Sequence, residues 1–146
     1  MAKFKYRMQN ILDVKMKLES QAKITYGIAN QKYMAEQKKL QEIVLRRGHY
    51  EKVLKESMTG KLDVRQVSHA RADVNTMKTI MRRQMMEVHK AELELEDARK
   101  ALNQIMQERK MHEKLKERAF EQFQQELKAE ESKEIDQLVS YTYGSR

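Results

Sequence analysis

Along the second half of the chain, apolar side chains recur at alternating steps of three and four. From Val67 the steps reach Ala70, Val74, Met77, Met81, Gln84, Val88, Ala91, Leu95, Ala98, Leu102 and Ile105, and Gln84 alone interrupts the apolar series. Most positions between them are charged or polar. Sustained over this length, the repeat is the seam of a coiled coil rather than the wider face of a globular helix. The same register continues through Arg109, His112, Lys116, Ala119 and Phe123. There the seam turns polar, and looser packing is expected.

The first half is less regular. Phe4, Met8, Ile11, Lys15, Leu18 and Ala22 follow one register. Tyr26, Ala29, Tyr33, Gln37, Leu40, Val44, Arg47, Glu51, Leu54 and Met58 follow another, so a stutter is expected at Ala22. A stutter unwinds a supercoil locally without ending the helix. Stop and start signals gather at Ser57-Met58-Thr59-Gly60-Lys61-Leu62-Asp63. Gly60 can close a helix in the left-handed conformation. Asp63 can cap the next, with Gln66 in the capping-box position. Gly27 and Gly48 interrupt nothing in the pattern around them.

These signals predict helix one over about residues 3–58, a turn at 59–63, helix two over about 64–138 and a frayed tail at 139–146, all in one coiled-coil domain spanning 1–146. A short connector favours antiparallel neighbours. The expected fold is all-α: a long antiparallel two-helix coiled-coil hairpin with a C-terminal helical overhang. Folding at Gly60 sets Met8 opposite Glu113 and exhausts helix one near Phe120.

Composition supports this and removes alternatives. The chain has no proline, cysteine or tryptophan and only 4 glycines, while 36% of it is charged. Without proline nothing forces a helix to break by that route. Without cysteine there are no disulfides, thiolate metal sites or cysteine nucleophiles. No stretch approaches the roughly 18 apolar residues of a membrane span, so no direct membrane insertion is expected. The basic start lacks the apolar core of a secretory signal.

The net charge of +8 is unevenly placed. Residues 1–62 carry 14 basic against 6 acidic side chains, residues 63–107 carry 8 against 7, and residues 108–146 carry 8 against 9. The surplus thus belongs to the first helix, where it can meet an acidic protein surface, phosphates or anionic lipid. The lysines are spread along the helix without interleaved stacking aromatics, so nucleic acid is not the expected partner.

No constellation points to catalysis. His49, His69, His89 and His112 never approach the i, i+4 spacing that lets two imidazoles share a metal. Gly60-Lys61 lacks the rest of a phosphate loop. Glu92, Glu94, Glu96 and Asp97 lie on a helix flank, where Glu96 and Lys100 make a supportive i, i+4 pair. No cofactor, metal or catalytic residue is assigned. Methionine is abundant, with 11 in the chain, and Met85 and Met86 cannot both enter one seam.

The two ends carry a resemblance. Phe4-Lys5-Tyr6-Arg7-Met8-Gln9-Asn10-Ile11-Leu12-Asp13-Val14-Lys15 resembles the opening of the flagellar FliJ family. Gln107-Glu108-Arg109-Lys110-Met111-His112-Glu113-Lys114-Leu115-Lys116-Glu117-Arg118 resembles that family's basic-acidic run, and Glu130-Glu131-Ser132-Lys133-Glu134-Ile135-Asp136 its close. The resemblance implies a non-enzymatic stalk of the flagellar type III protein export apparatus, cytoplasmic and peripheral at the inner membrane. It would engage the hexameric export ATPase, promote its assembly and activity, link it to the cytoplasmic domain of the export gate, and meet export chaperones. On that footing Phe4, Arg7, Ile11, Arg109, Lys110 and Lys114 would face the ATPase ring, and Leu40, Ile43, Tyr50, Val74, Met77 and Met81 would lie toward the gate. The residues alone leave a second reading, a general coiled-coil scaffold or homodimer with no ATPase partner.

Overall fold

Two helices account for nearly all of the computed structural model, which describes residues 3–144. Helix α1 spans Gln9–Ser57 and helix α2 spans Val64–Gly144, with no strand among the described residues. Together they form an all-α two-helix hairpin. Lys, Glu, Gln, Met, Leu, Ala and Arg dominate both helices, and these residues lose little side-chain freedom in helical backbone.

The connector does what its residues suggest. Ser57 Oγ donates to the Leu54 carbonyl at 2.7 Å and Thr59 Oγ1 to the Glu56 carbonyl at 2.7 Å, which satisfies two orphan acceptors at the end of α1. Gly60 then takes φ 84°, the left-handed region that an L side chain enters only with strain. Asp63 Oδ1 accepts from the Arg65 amide at 3.0 Å, and its carbonyl accepts from Val67 N at 3.0 Å to open α2.

Helix α1 begins at Gln9 rather than near residue 3. Residues 3–6 are non-helical and 7–8 form a turn. Lys3, Lys5 and Arg7 are exposed while Phe4 and Tyr6 are half-buried, an alternation with a period of two that belongs to extended chain, not helix. At the other end α2 continues to Gly144, past the expected start of fraying at 139; Ser145 and Arg146 lie outside the described residues.

Every position of the α2 register is shielded, from Val67 to Phe123. The α1 register differs from expectation. Leu12, Lys15, Glu19, Ala22, Tyr26, Ala29, Tyr33, Glu36, Leu40, Ile43, Arg47, Tyr50, Leu54 and Ser57 are shielded in an unbroken alternation of three and four, with Gln9 and Asn30 also half-buried. No stutter occurs at Ala22. Met8, Ile11, Leu18, Val44 and Met58, all expected in the seam, are exposed, as are Gln37 and Glu51. Following apolar identity alone shifts the register, because charged residues occupy seam positions here.

The described helices divide into two compact units. One runs Ala22–Leu102. Within it Ala70, Val74, Met77 and Ala91 are buried, Ala91 to 1% exposure. Lys32 pairs with Glu94 at 3.1 Å, Gln84 Nε2 donates to the Glu36 carbonyl at 2.9 Å, and Arg47 approaches the Met81 sulfur at 3.4 Å. Numbers rising on α1 meet numbers falling on α2, which is the antiparallel register. The other unit joins the chain up to Gln21 with the chain from Asn103 onward. Its core is Leu12 and Glu19, and the α2 residues 128–144 beyond it are all exposed, forming the overhang.

Two glycines should respond to substitution with opposite sign. A Cβ at Gly60 or at Gly27 meets nothing within 4 Å, so only backbone conformation matters. Gly60→Ala should destabilise by about 1–2 kcal/mol through the left-handed φ. Gly27→Ala, in mid-helix, should stabilise by about 0.5–1 kcal/mol. Thermal unfolding followed by circular dichroism reads both; equal shifts for the two would contradict the assigned turn.

Candidate interaction surface

The end carrying both chain termini is built from an arm and a polar seam. The arm, residues 3–8, lies against α2 through Phe4, whose ring meets Phe120 edge-on with centroids 5.1 Å apart and Phe123 at a tilt with centroids 5.6 Å apart. Edge-to-face pairs of this kind add roughly 0.5–1.5 kcal/mol beyond area burial. With Phe4 and Tyr6 turned inward, Lys3, Lys5 and Arg7 form an outward cationic row.

Behind the arm, the seam is ionic. Lys15 Nζ donates to Glu108 at 2.8 Å. Arg109 bridges Glu19 across the seam and Glu113 one turn along its own helix, the latter at 2.9 Å. Hydrogen bonds from Arg109 to Glu113 and then Glu19 hold its guanidinium above the usual arginine range. The Lys15 hydrogen bond and charge, followed by Gln104 and His112, hold the Glu108 carboxyl below its ordinary value, against a smaller opposing effect of burial. Glu19 is 6% exposed, which makes it the one charged group in the buried core among the described residues. An ion pair removed from water must retain both members, since a lone buried charge is costly. An open groove flanks this seam, lined by Phe4, Gln9, Leu12, Asp13, Met16, Glu113, Lys116, Glu117 and Phe120.

The residues singled out from sequence fall into two sets. Arg7, Ile11, Lys110 and Lys114 are exposed at this end, and Phe4 and Arg109 sit beside them, occupied in holding it together. Leu40, Ile43, Tyr50 and Met81 are half-buried and Val74 and Met77 buried, so in the 22–102 unit these six build the seam. The exposed apolar side chains of that unit are others: Leu45 is 74% and Met86 73% exposed, with Ile24, Ile28, Met85 and Leu93 also outward. The signal for them was present, since each falls outside the three-four alternation. Around Met86 the surface is lined by Met85, Glu87, His89, Lys90 and Leu93. Among the described residues no three His, Asp or Glu side chains are grouped to hold a metal ion, and no helix is long and apolar enough to cross a membrane.

Comparison with known proteins adds one finding. A family model described as flagellar FliJ protein matches residues 4–146, essentially the whole chain. Neither the curated proteins nor the solved structures compared with the chain match it.

The ionic seam has a pH signature. Glu108 is held below the ordinary glutamate value of 4.5, so its contribution is complete above that value and disappears as pH falls through the lowered folded value. The difference in melting temperature between wild type and Glu108→Gln should therefore be constant from neutrality to about pH 5 and shrink toward zero under stronger acid. A double-mutant cycle on Glu19→Ala and Arg109→Ala should show each single change destabilising and the pair far less than additive. Strict additivity would mean that the two side chains do not depend on one another.

Proposed function

The chain belongs to the flagellar FliJ family, and from that premise we propose that it acts as one non-enzymatic coiled-coil stalk whose termini-bearing end engages the ring of the export ATPase. Membership makes it a structural component of the flagellar protein export apparatus. Engagement of the ring, promotion of its assembly and hydrolysis, linkage to the cytoplasmic domain of the export gate and contact with export chaperones are the finer reading. So is a cytoplasmic position peripheral to the inner membrane.

The observation that carries the ring contact is the arm. Lys3, Lys5 and Arg7 present their charge outward because Phe4 and Tyr6 are turned inward. Exposed Lys110 and Lys114 extend the positive potential along α2, and Ile11 adds an apolar contact. A cationic surface suits an acidic ring interior and accelerates encounter with it. Phe4 and Arg109 act as positioning residues, one fixing the arm and the other the seam beneath it. Toward the gate, Leu40, Ile43, Tyr50, Val74, Met77 and Met81 would act by keeping α1 and α2 paired, while Leu45, Met85 and Met86 offer the surface.

Hydrolysis by the cognate export ATPase, measured against increasing amounts of this chain, tests the reading. Wild type should stimulate it. The triple variant Lys3→Glu, Lys5→Glu, Arg7→Glu should raise the half-stimulating concentration about ten-fold at low salt, with the gap narrowing as salt rises. No stimulation by saturating wild type would sink the proposal.

A further inference from the structure

The overhang extends a face of α2 that the hairpin uses only at its start, where Phe120 meets Phe4 and Leu127 is half-buried. At about 100° per residue, Phe120, Leu127, Ile135, Leu138 and Val139 share one side of α2. Its distal part, Ile135, Leu138 and Val139, is turned about a third of a turn away from the direction of the seam residues Lys116, Ala119 and Phe123, whereas Leu127 borders the seam. Ile135 is 60%, Leu138 66% and Val139 48% exposed. Phe120 is itself partly exposed and lines the groove beside Phe4, so groove and stripe adjoin. Because the stripe bears away from the seam beyond Leu127, its distal part is not a place where α1 would lie if it were longer.

Its borders are acidic. Glu117 and Glu121 run along one side, Glu130 and Glu134 along the other, and Glu131 stands within the stripe. Lys128 also stands within it, and Lys116 lies one turn before Phe120. From 126 to 136 the chain holds 5 acidic and 2 basic side chains. We propose that this face, from Phe120 to Val139, is a docking surface for a basic amphipathic helix of a partner protein.

The argument is complementarity of shape and charge. A stripe of about 28 Å on one helix, apolar at both ends with Gln124, Lys128 and Glu131 between, is best covered by another helix packed along it. Acidic borders select lysine and arginine flanking the apolar residues of that helix. The same borders repel an anionic membrane surface, and they repel a second overhang laid against the first. The inference goes beyond ring engagement and does not depend on it.

The test uses the full chain and a fluorescein-labelled amphipathic peptide of leucine and lysine, about 18 residues long, with its leucine–glutamate isomer as control. Fluorescence anisotropy should show saturable binding of the lysine peptide only, weakening as salt rises. Ile135→Glu with Leu138→Glu should weaken it at least about ten-fold, while Ile24→Glu with Ile28→Glu, both exposed, should leave it unchanged. Residues 128–144 are exposed, so the overhang variant should keep the wild-type melting temperature, which separates lost docking from lost folding. Equal binding by the overhang variant would overturn the proposal. So would equal binding of the glutamate peptide, or sedimentation of the chain as a dimer that this variant abolishes, since a second copy would then be the occupant.

Discussion

One geometric constraint governs this protein: two helices stay side by side only where each offers the other an uninterrupted stripe at alternating steps of three and four. In α2 the stripe is apolar as far as Ile105, apart from Gln84. In α1 it holds Lys15, Glu19, Glu36 and Arg47 among Leu12, Ala22, Leu40 and Ile43. Position outranks identity. A side chain at a seam step is shielded whether or not it is apolar, and Ile11 or Leu18, one step away, is left in water. The partner helix covers a line along the cylinder and cannot follow apolar residues that step off it.

The charged residues tolerated in the α1 seam must find partners, and each does. Lys15 meets Glu108, Glu19 meets Arg109, Glu36 meets Gln84, and Arg47 reaches the Met81 sulfur and Glu51. Polar seam residues commonly fix register at some cost in stability. A purely apolar two-helix stripe would tolerate sliding by a heptad, since leucine faces leucine nearly as well in either alignment. Sliding here by a heptad would part Glu19 from Arg109 and set Arg109 opposite Leu12 or Tyr26. The polar seam thus supplies what a thin hydrophobic contact cannot, a single alignment.

The fold was legible in the sequence because its strongest signals are local or strictly periodic. Gly60 and Asp63 mark the connector by backbone chemistry that needs no tertiary context. The α2 register was readable to Phe123 even where it passes through Arg109, His112 and Lys116, because it could be extrapolated from the apolar stretch before them. The α1 register was not. With Lys15 and Glu19 in place of apolar residues, the nearby Ile11 and Leu18 offered a false trail, and the apparent stutter at Ala22 was its consequence. The arm was misread as helix for a related reason: Phe4 belongs to a short alternation that ends at Arg7, too brief to outweigh the helical pattern after it. At the candidate surface, the exposed cations were legible as charges. The Arg109–Glu113 pair is an i, i+4 spacing within α2, but that Arg109 also reaches Glu19 depends on the corrected register and was not legible.

The same constraint separates surface from framework in a way that bears on function. A two-helix hairpin consumes its most conspicuous apolar residues in the seam, so Val74, Met77 and Leu40 are poor guides to what a partner touches. The informative apolar residues are those that break the alternation and remain in water. Single exposed apolar side chains are ordinary on protein surfaces. A set aligned on one side of a helix, continuous with a groove and bordered by one sign of charge, is less so. For a protein whose family places it within a multi-protein export apparatus, such faces are where binding free energy can be gained without disturbing the register that Glu19 and Arg109 secure. Partner contacts and hairpin integrity can then vary independently, since substitutions on the outer faces leave the seam untouched.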